Sequence, residues 1–100
     1  MDNTPAMTPD LERVRTMAQD LVKGFPRSPR DASIGGYVIA ARALDKCRAE
    51  LCGTNGEYNF DCPLDKRFFE FAGISATAFR ELVAAGATDV EVSAWGNGHA

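Results

Sequence analysis

Two arginines flank a serine and a proline in Arg27-Ser28-Pro29-Arg30, and they are the first residues whose types and spacing point to chemistry. Pro26 and Pro29 fix their own φ and restrict the residue before each, so both guanidiniums stand on stiff backbone. With the Ser28 hydroxyl and the amides of Gly35-Gly36 at a helix start, they would clamp a phosphate or carboxylate. The competing reading is internal: the arginines pair with acids of the same chain, such as Asp45, Glu57 or Asp65. A second group is Tyr37 with Arg42, Asp45 and Lys46. Asp45 borders an apolar stripe, where a partly buried carboxylate must find a donor, and Arg42 three residues earlier supplies one. A solvated helix face is the plainer account of the same residues.

The third group runs from Glu57-Tyr58 to Cys62-Pro63-Leu64-Asp65. A thiol at a helix N-terminus meets the positive end of the helix dipole, and Lys66 and Arg67 lie within one turn. Asp65 in that turn opposes them. No histidine is placed as a base and no Cys-x-x-Cys pair exists, so Cys62 reads first as a quiet cap and core filler. The alternative is a thiol-dependent enzyme or redox sensor using Cys62. Trp95, the single tryptophan, closes the core or anchors a partner.

Composition narrows the classes. The net charge of -3 over 100 residues argues against a nucleic-acid binder driven by bulk electrostatics. Residues 51–100 carry three Lys/Arg against seven Asp/Glu, leaving the last helices without a basic face for DNA. No apolar run approaches the roughly 18–20 residues of a membrane span. The opening Met1-Asp2-Asn3-Thr4-Pro5 lacks the basic and apolar regions of a secretory signal. Cys47, Cys52 and Cys62 are odd in number, and Cys47 and Cys52 sit on neighbouring faces of one helix, a poor geometry for a disulfide. Reduced thiols in a cytoplasm are expected. Neither the cysteine spacing nor His99 forms a zinc set, and no cofactor is expected.

Five helices must position these groups, with no convincing strand. Thr8-Pro9-Asp10 starts the first, and Leu11, Val14, Ala18 and Leu21 carry it to Gly24, with Phe25 tucked over its end. The second runs from Tyr37 to about Cys52 on an apolar stripe of Tyr37, Ala40, Ala41, Leu44, Cys47 and Leu51. An irregular loop over 53–61 follows, with a turn signal at Asn55-Gly56. Pro63 opens the third helix, where Leu64, Phe68, Phe71 and Ala72 face inward, Phe69 is left outside and Gly73 stops the helix. Ser75 caps the fourth, which Gly86 ends. Thr88-x-x-Glu91 is a capping box for a short fifth helix that fails at Gly96-Asn97-Gly98. The expected organisation is a disordered 1–7, one helical domain over 8–96 and a frayed 97–100.

In combination these motifs resemble a bacterial family, domain of unknown function 5069. The likeness is carried by Pro26-Arg27-Ser28-Pro29-Arg30, Gly35-Gly36-Tyr37-Val38, Arg42-x-x-Asp45-Lys46-x-Arg48, Gly53-x-x-Gly56-Glu57-Tyr58 and Cys62-Pro63-Leu64-Asp65-x-x-Phe68. It continues through Gly86-x-x-Asp89-x-Glu91 to Trp95. The resemblance implies a helical fold and no known mechanism. It places the family signature on polar residues, namely Arg27, Arg30, Tyr37, Arg42, Asp45, Lys46, Glu57, Tyr58, Cys62 and Asp65. The expected function is a small all-α binding module in preference to a Cys62 enzyme or redox sensor, with Arg27, Arg30, Tyr37, Arg42, Asp45, Glu57, Tyr58, Cys62 and Asp65 around one polar site. Its ligand would be anionic or a protein partner, with neither nucleic acid nor membrane involved.

Overall fold

A computed structural model describes residues 9–99, with side chains to residue 96. The order is α1 (Leu11–Met17), α2 (Ala40–Leu51), α3 (Pro63–Ala72), α4 (Ala76–Ala84) and α5 (Asp89–His99). No strand occurs among the described residues. The chain is all-α, as expected, and the stretch over 53–61 is irregular.

α2 is the axis. Its Ala40, Ala41, Ala43, Leu44, Cys47 and Ala49 are all sealed from solvent. Small side chains there let α1, α3 and α4 lie close. One core gathers all of these but Ala49 with Ile34, Phe68, Phe69, Phe79, Val83 and Val92. Phe69 packs 5.4 Å from Phe79 and 5.7 Å from Phe60, ring centre to ring centre. Such rings supply the largest hydrophobic areas a small core can bury.

Several boundaries differ from expectation. Asp10 is the N-cap of α1, its carboxylate accepting the Arg13 amide at 3.1 Å, while Thr8 lies outside the described residues. α1 stops at Met17 rather than Gly24. The Asp20 side chain takes the Val22 amide, and the Leu21 amide donates to the Thr54 carbonyl at 2.8 Å. Leu21 is thus buried by a turn docked beyond α2, not by a helix face. Phe25 does not tuck back; it is 79% exposed.

α2 begins at Ala40, three residues after Tyr37. Gly35 and Gly36 take positive φ, and so does Ile39 at 77°, while the Ile39 amide donates to the Pro29 carbonyl at 2.7 Å. A β-branched residue in that region is strained, and the surrounding contacts hold it there. Tyr37 therefore sits in a turn and meets Phe68 and Phe71 edge-on.

α3 is turned from its expected orientation. Phe69 is buried and Phe71 is 81% exposed. The inward stripe is Asp65, Phe68, Phe69 and Ala72, a regular i, i+3, i+4, i+7 set headed by a charge. In α4, Ser75 caps through the Ala78 amide, and Thr88 and Glu91 exchange both bonds of the expected box. α5 does not break at Gly96 but runs on through His99. Gly96 is packed beside the Tyr37 ring, where an added Cβ would lie 3.7 Å away. Residues 1–8 and 100, including all of the 1–7 stretch expected to be disordered, lie outside the described residues.

Candidate functional site

Most of the polar residues singled out above fall into two paired groups and one open cleft. The first group begins with Arg27. Its Nε lies 3.0 and 3.2 Å from the two Asp45 oxygens, its Nη2 2.9 Å from Oδ1, and its own amide donates to Oδ2 at 2.7 Å. Nη1 reaches Asp89 Oδ2 at 2.9 Å, and Arg48 Nη1 meets the other Asp89 oxygen at 2.8 Å. Arg48 Nη2 completes the chain on the Ala87 carbonyl. Two arginines and two aspartates thus join the Pro26–Arg30 segment, α2 and the start of α5. Burial disfavours the Arg27 charge, yet the bonds and charges of Asp45 and Asp89 outweigh it and raise its pKa. Burial likewise pushes Asp89 up, but both arginines pull it below the usual carboxylate range. The internal pairing anticipated for Arg27 with Asp45 is present.

The second group lies one residue further along α2. Lys46, with its side chain 4% exposed, donates to Asp65 Oδ2 at 3.0 Å and to Cys62 Sγ at 3.0 Å. Asp65 Oδ2 also accepts the amides of Asp61 at 2.9 Å and Cys62 at 3.4 Å, which fixes the first turn of α3. Asp65 is wholly buried, and its Oδ1 has no hydrogen-bond partner among the described residues. Cys62 keeps partial exposure. Cys47, by contrast, is sealed, and burial pushes its thiol up to about 12. No cluster of His, Cys, Asp and Glu fit for a metal ion occurs among the described residues.

The cleft lies elsewhere. It measures about 480 Å³ and is lined by Leu21–Phe25 on one wall and Gly56–Tyr58 on the other. Gly56 permits the close approach: with φ of 56°, a Cβ there would stand 3.0 Å from the Leu21 carbonyl. Tyr58 is held in an Asn55–Tyr58 turn by backbone and side-chain bonds of 2.9 and 2.8 Å. Across the Tyr58 ring, 5.5 Å from its centre, stands the Arg42 guanidinium. Arg42 donates to the Arg27 carbonyl at 3.3 Å and has no carboxylate within ion-pair distance among the described residues. Glu57 is exposed on the cleft wall.

The structure therefore joins Arg27 with Asp45, Cys62 with Asp65, and Arg42 with Tyr58 beside Glu57. It does not gather all nine expected residues around one opening. Arg30 is exposed and forms no ion pair among the described residues; its amide is held by the Ser28 hydroxyl at 3.1 Å. Tyr37 lines a separate, mostly apolar cavity of about 320 Å³ with Val38, Arg67 and Phe71. Arg48, Asp89 and the buried role of Lys46 were missed. Arg48 stands in the quoted motif three residues after Asp45, the spacing of helical neighbours, which was the available signal.

The sequence profile of the family described as Domain of unknown function (DUF5069) matches residues 23–100. The chain belongs to that family. Both paired groups and most of the cleft fall inside the DUF5069 span, whereas α1 precedes it and packs on α2 and α4. The match runs to the last residue, past the Gly96-Asn97-Gly98 stretch where α5 continues. No curated protein matched the chain. No helix among the described residues is long and apolar enough to cross a membrane.

Proposed function

We propose that this DUF5069 chain is a binding module whose site is the cleft between Leu21–Phe25 and Gly56–Tyr58, and that its ligand is an anion with an apolar portion. The observation that carries this reading is Arg42. A half-buried guanidinium with one long hydrogen bond and no ion pair among the described residues has donors to offer, and Tyr58 presents its ring beside it. Lys23 adds a second cation on the wall opposite Tyr58, and Phe25 and Val22, 79% and 68% exposed, supply apolar surface. Arg27, Asp45 and Asp65 serve as the frame under this reading, because their charges are answered within the chain.

Titration of the full chain with inorganic phosphate, acetate and hexanoate, followed by amide chemical shifts, tests it. Shifts should cluster at Leu21–Phe25 and Gly56–Tyr58, with hexanoate binding more tightly than acetate. Lys23→Ala and Arg42→Ala should each weaken binding about tenfold, the worth of one charge-assisted contact. Shifts confined to other faces, or titrations unchanged in both variants, would overturn the assignment.

A further inference from the structure

We infer that Cys62 and Lys46 form an oxidative cross-link, a sulfur–nitrogen bond made when a hydroperoxide oxidises the thiol. This reading is independent of the cleft and its ligand. Three features converge. Lys46 Nζ stands 3.0 Å from Cys62 Sγ with no atom needed between them. The amine cannot swing away, because its side chain is 4% exposed and Asp65 holds it at 3.0 Å. Cys62 is partly exposed, so a small peroxide reaches it, whereas Cys47 is sealed and its thiol is pushed up to about 12.

The chemistry balances within this group. Cys62 sulfur attacks one peroxide oxygen; the S–O bond forms, the O–O bond breaks, water leaves and a sulfenic acid remains. Lys46 gives one proton to Asp65 Oδ2, which already touches Nζ. The freed nitrogen lone pair attacks sulfur, the S–N bond forms and the S–O bond breaks. The departing hydroxide takes a second proton from nitrogen and leaves as water. Net, the thiol and amine lose two electrons, and hydrogen peroxide is reduced to two waters. The ammonium and the Asp65 carboxylate both end neutral, so no uncompensated charge is left in the buried pocket. Two equivalents of an external thiol would reverse the step, yielding a disulfide of that thiol and restoring Cys62 and Lys46. The bond would pin the first turn of α3 to α2 at the foot of the loop that carries Tyr58.

Peptide mapping of the full chain after hydrogen peroxide treatment decides the matter without relying on a variant. The expected product is a joined pair of peptides, one containing Cys62 and one containing Lys46, lighter by two hydrogens than their sum. It should disappear on treatment with dithiothreitol and be absent from Cys62→Ser, whose smaller hydroxyl keeps the backbone of the cap. Three results would overturn the inference: Cys62 found as sulfinic or sulfonic acid with Lys46 unmodified, sulfenic acid trapped by dimedone as the end product, or Cys62 joined to Cys52 or Cys47 instead.

Discussion

The Arg27 carboxylate nest and the Tyr58 cleft share one short backbone segment, residues 21–27, and they treat charge in opposite ways. In the nest, two arginines meet two aspartates over bonds of 2.7–3.2 Å, and Asp45 is 4% exposed. On the cleft walls, Lys23 and Glu57 are exposed without an ion pair among the described residues, and Arg42, across the Tyr58 ring, has a carbonyl as its hydrogen-bond partner. Charges answered by the chain hold segments together, since burying either partner alone is costly. Charges left unanswered at a concave surface are available to something else. A family signature rich in polar residues therefore need not trace a single site; here it traces both a brace and an opening.

The comparison breaks most easily at Lys46. Lys46→Met strands the wholly buried Asp65 and should cost about 3–5 kcal/mol in urea denaturation, while adding Asp65→Leu should recover most of it. Full stability in the single variant would show the pair to be incidental. Of similar size is the aromatic contrast on α3. Phe69→Ala should lose about 3–5 kcal/mol as a cavity opens among Phe60, Phe68 and Phe79. Phe71→Ala should stay within about 0.5 kcal/mol, as for surface changes generally. Equal losses would mean that α3 is turned the other way.

Acid unfolding sharpens the nest at a smaller scale. Asp89 is held below its ordinary range in the folded chain, so the unfolded chain binds the proton more tightly. Its contribution is complete above the usual carboxylate value of about 3.9 and is lost as pH falls through the lower folded value. Asp89→Asn should flatten that limb of the stability curve and leave the neutral-to-alkaline limb in shape. Smallest of all, Glu57→Gln should leave the melting temperature unchanged and tighten hexanoate binding by removing a like charge from the cleft wall.

Much of the frame is legible in the sequence. Prolines at helix starts, the Ser75 cap and the Thr88–Glu91 box report local physics, and local physics placed α3, α4 and the start of α5. The inner face of α3 was hidden because its stripe begins with Asp65, a charge that becomes core only through Lys46 from another helix. Tyr37 drops out of α2 because Ile39 takes a positive φ, which nothing in its side chain announces. Gly96-Asn97-Gly98 reads as a stop, yet Gly96 is the residue that fits beside the Tyr37 ring. The Arg27–Asp45 pairing stood among the alternatives from the start. Asp89, 62 residues from Arg27, did not, because only the folded chain brings α5 to that segment. The cleft is half legible: the sequence marks Glu57 and Tyr58, but its periodicity reads the Leu21–Phe25 wall as the end of a helix.

Equilibrium unfolding of Arg27→Ala most directly tests the division between brace and opening. Loss of the guanidinium leaves Asp45 buried and Asp89 with Arg48 alone, so the unfolding free energy should fall by about 2–4 kcal/mol. An unfolding curve that overlays the parent chain's would contradict the account, for it would mean that the nest carries no structural weight and that Arg27 belongs with the residues left free to bind.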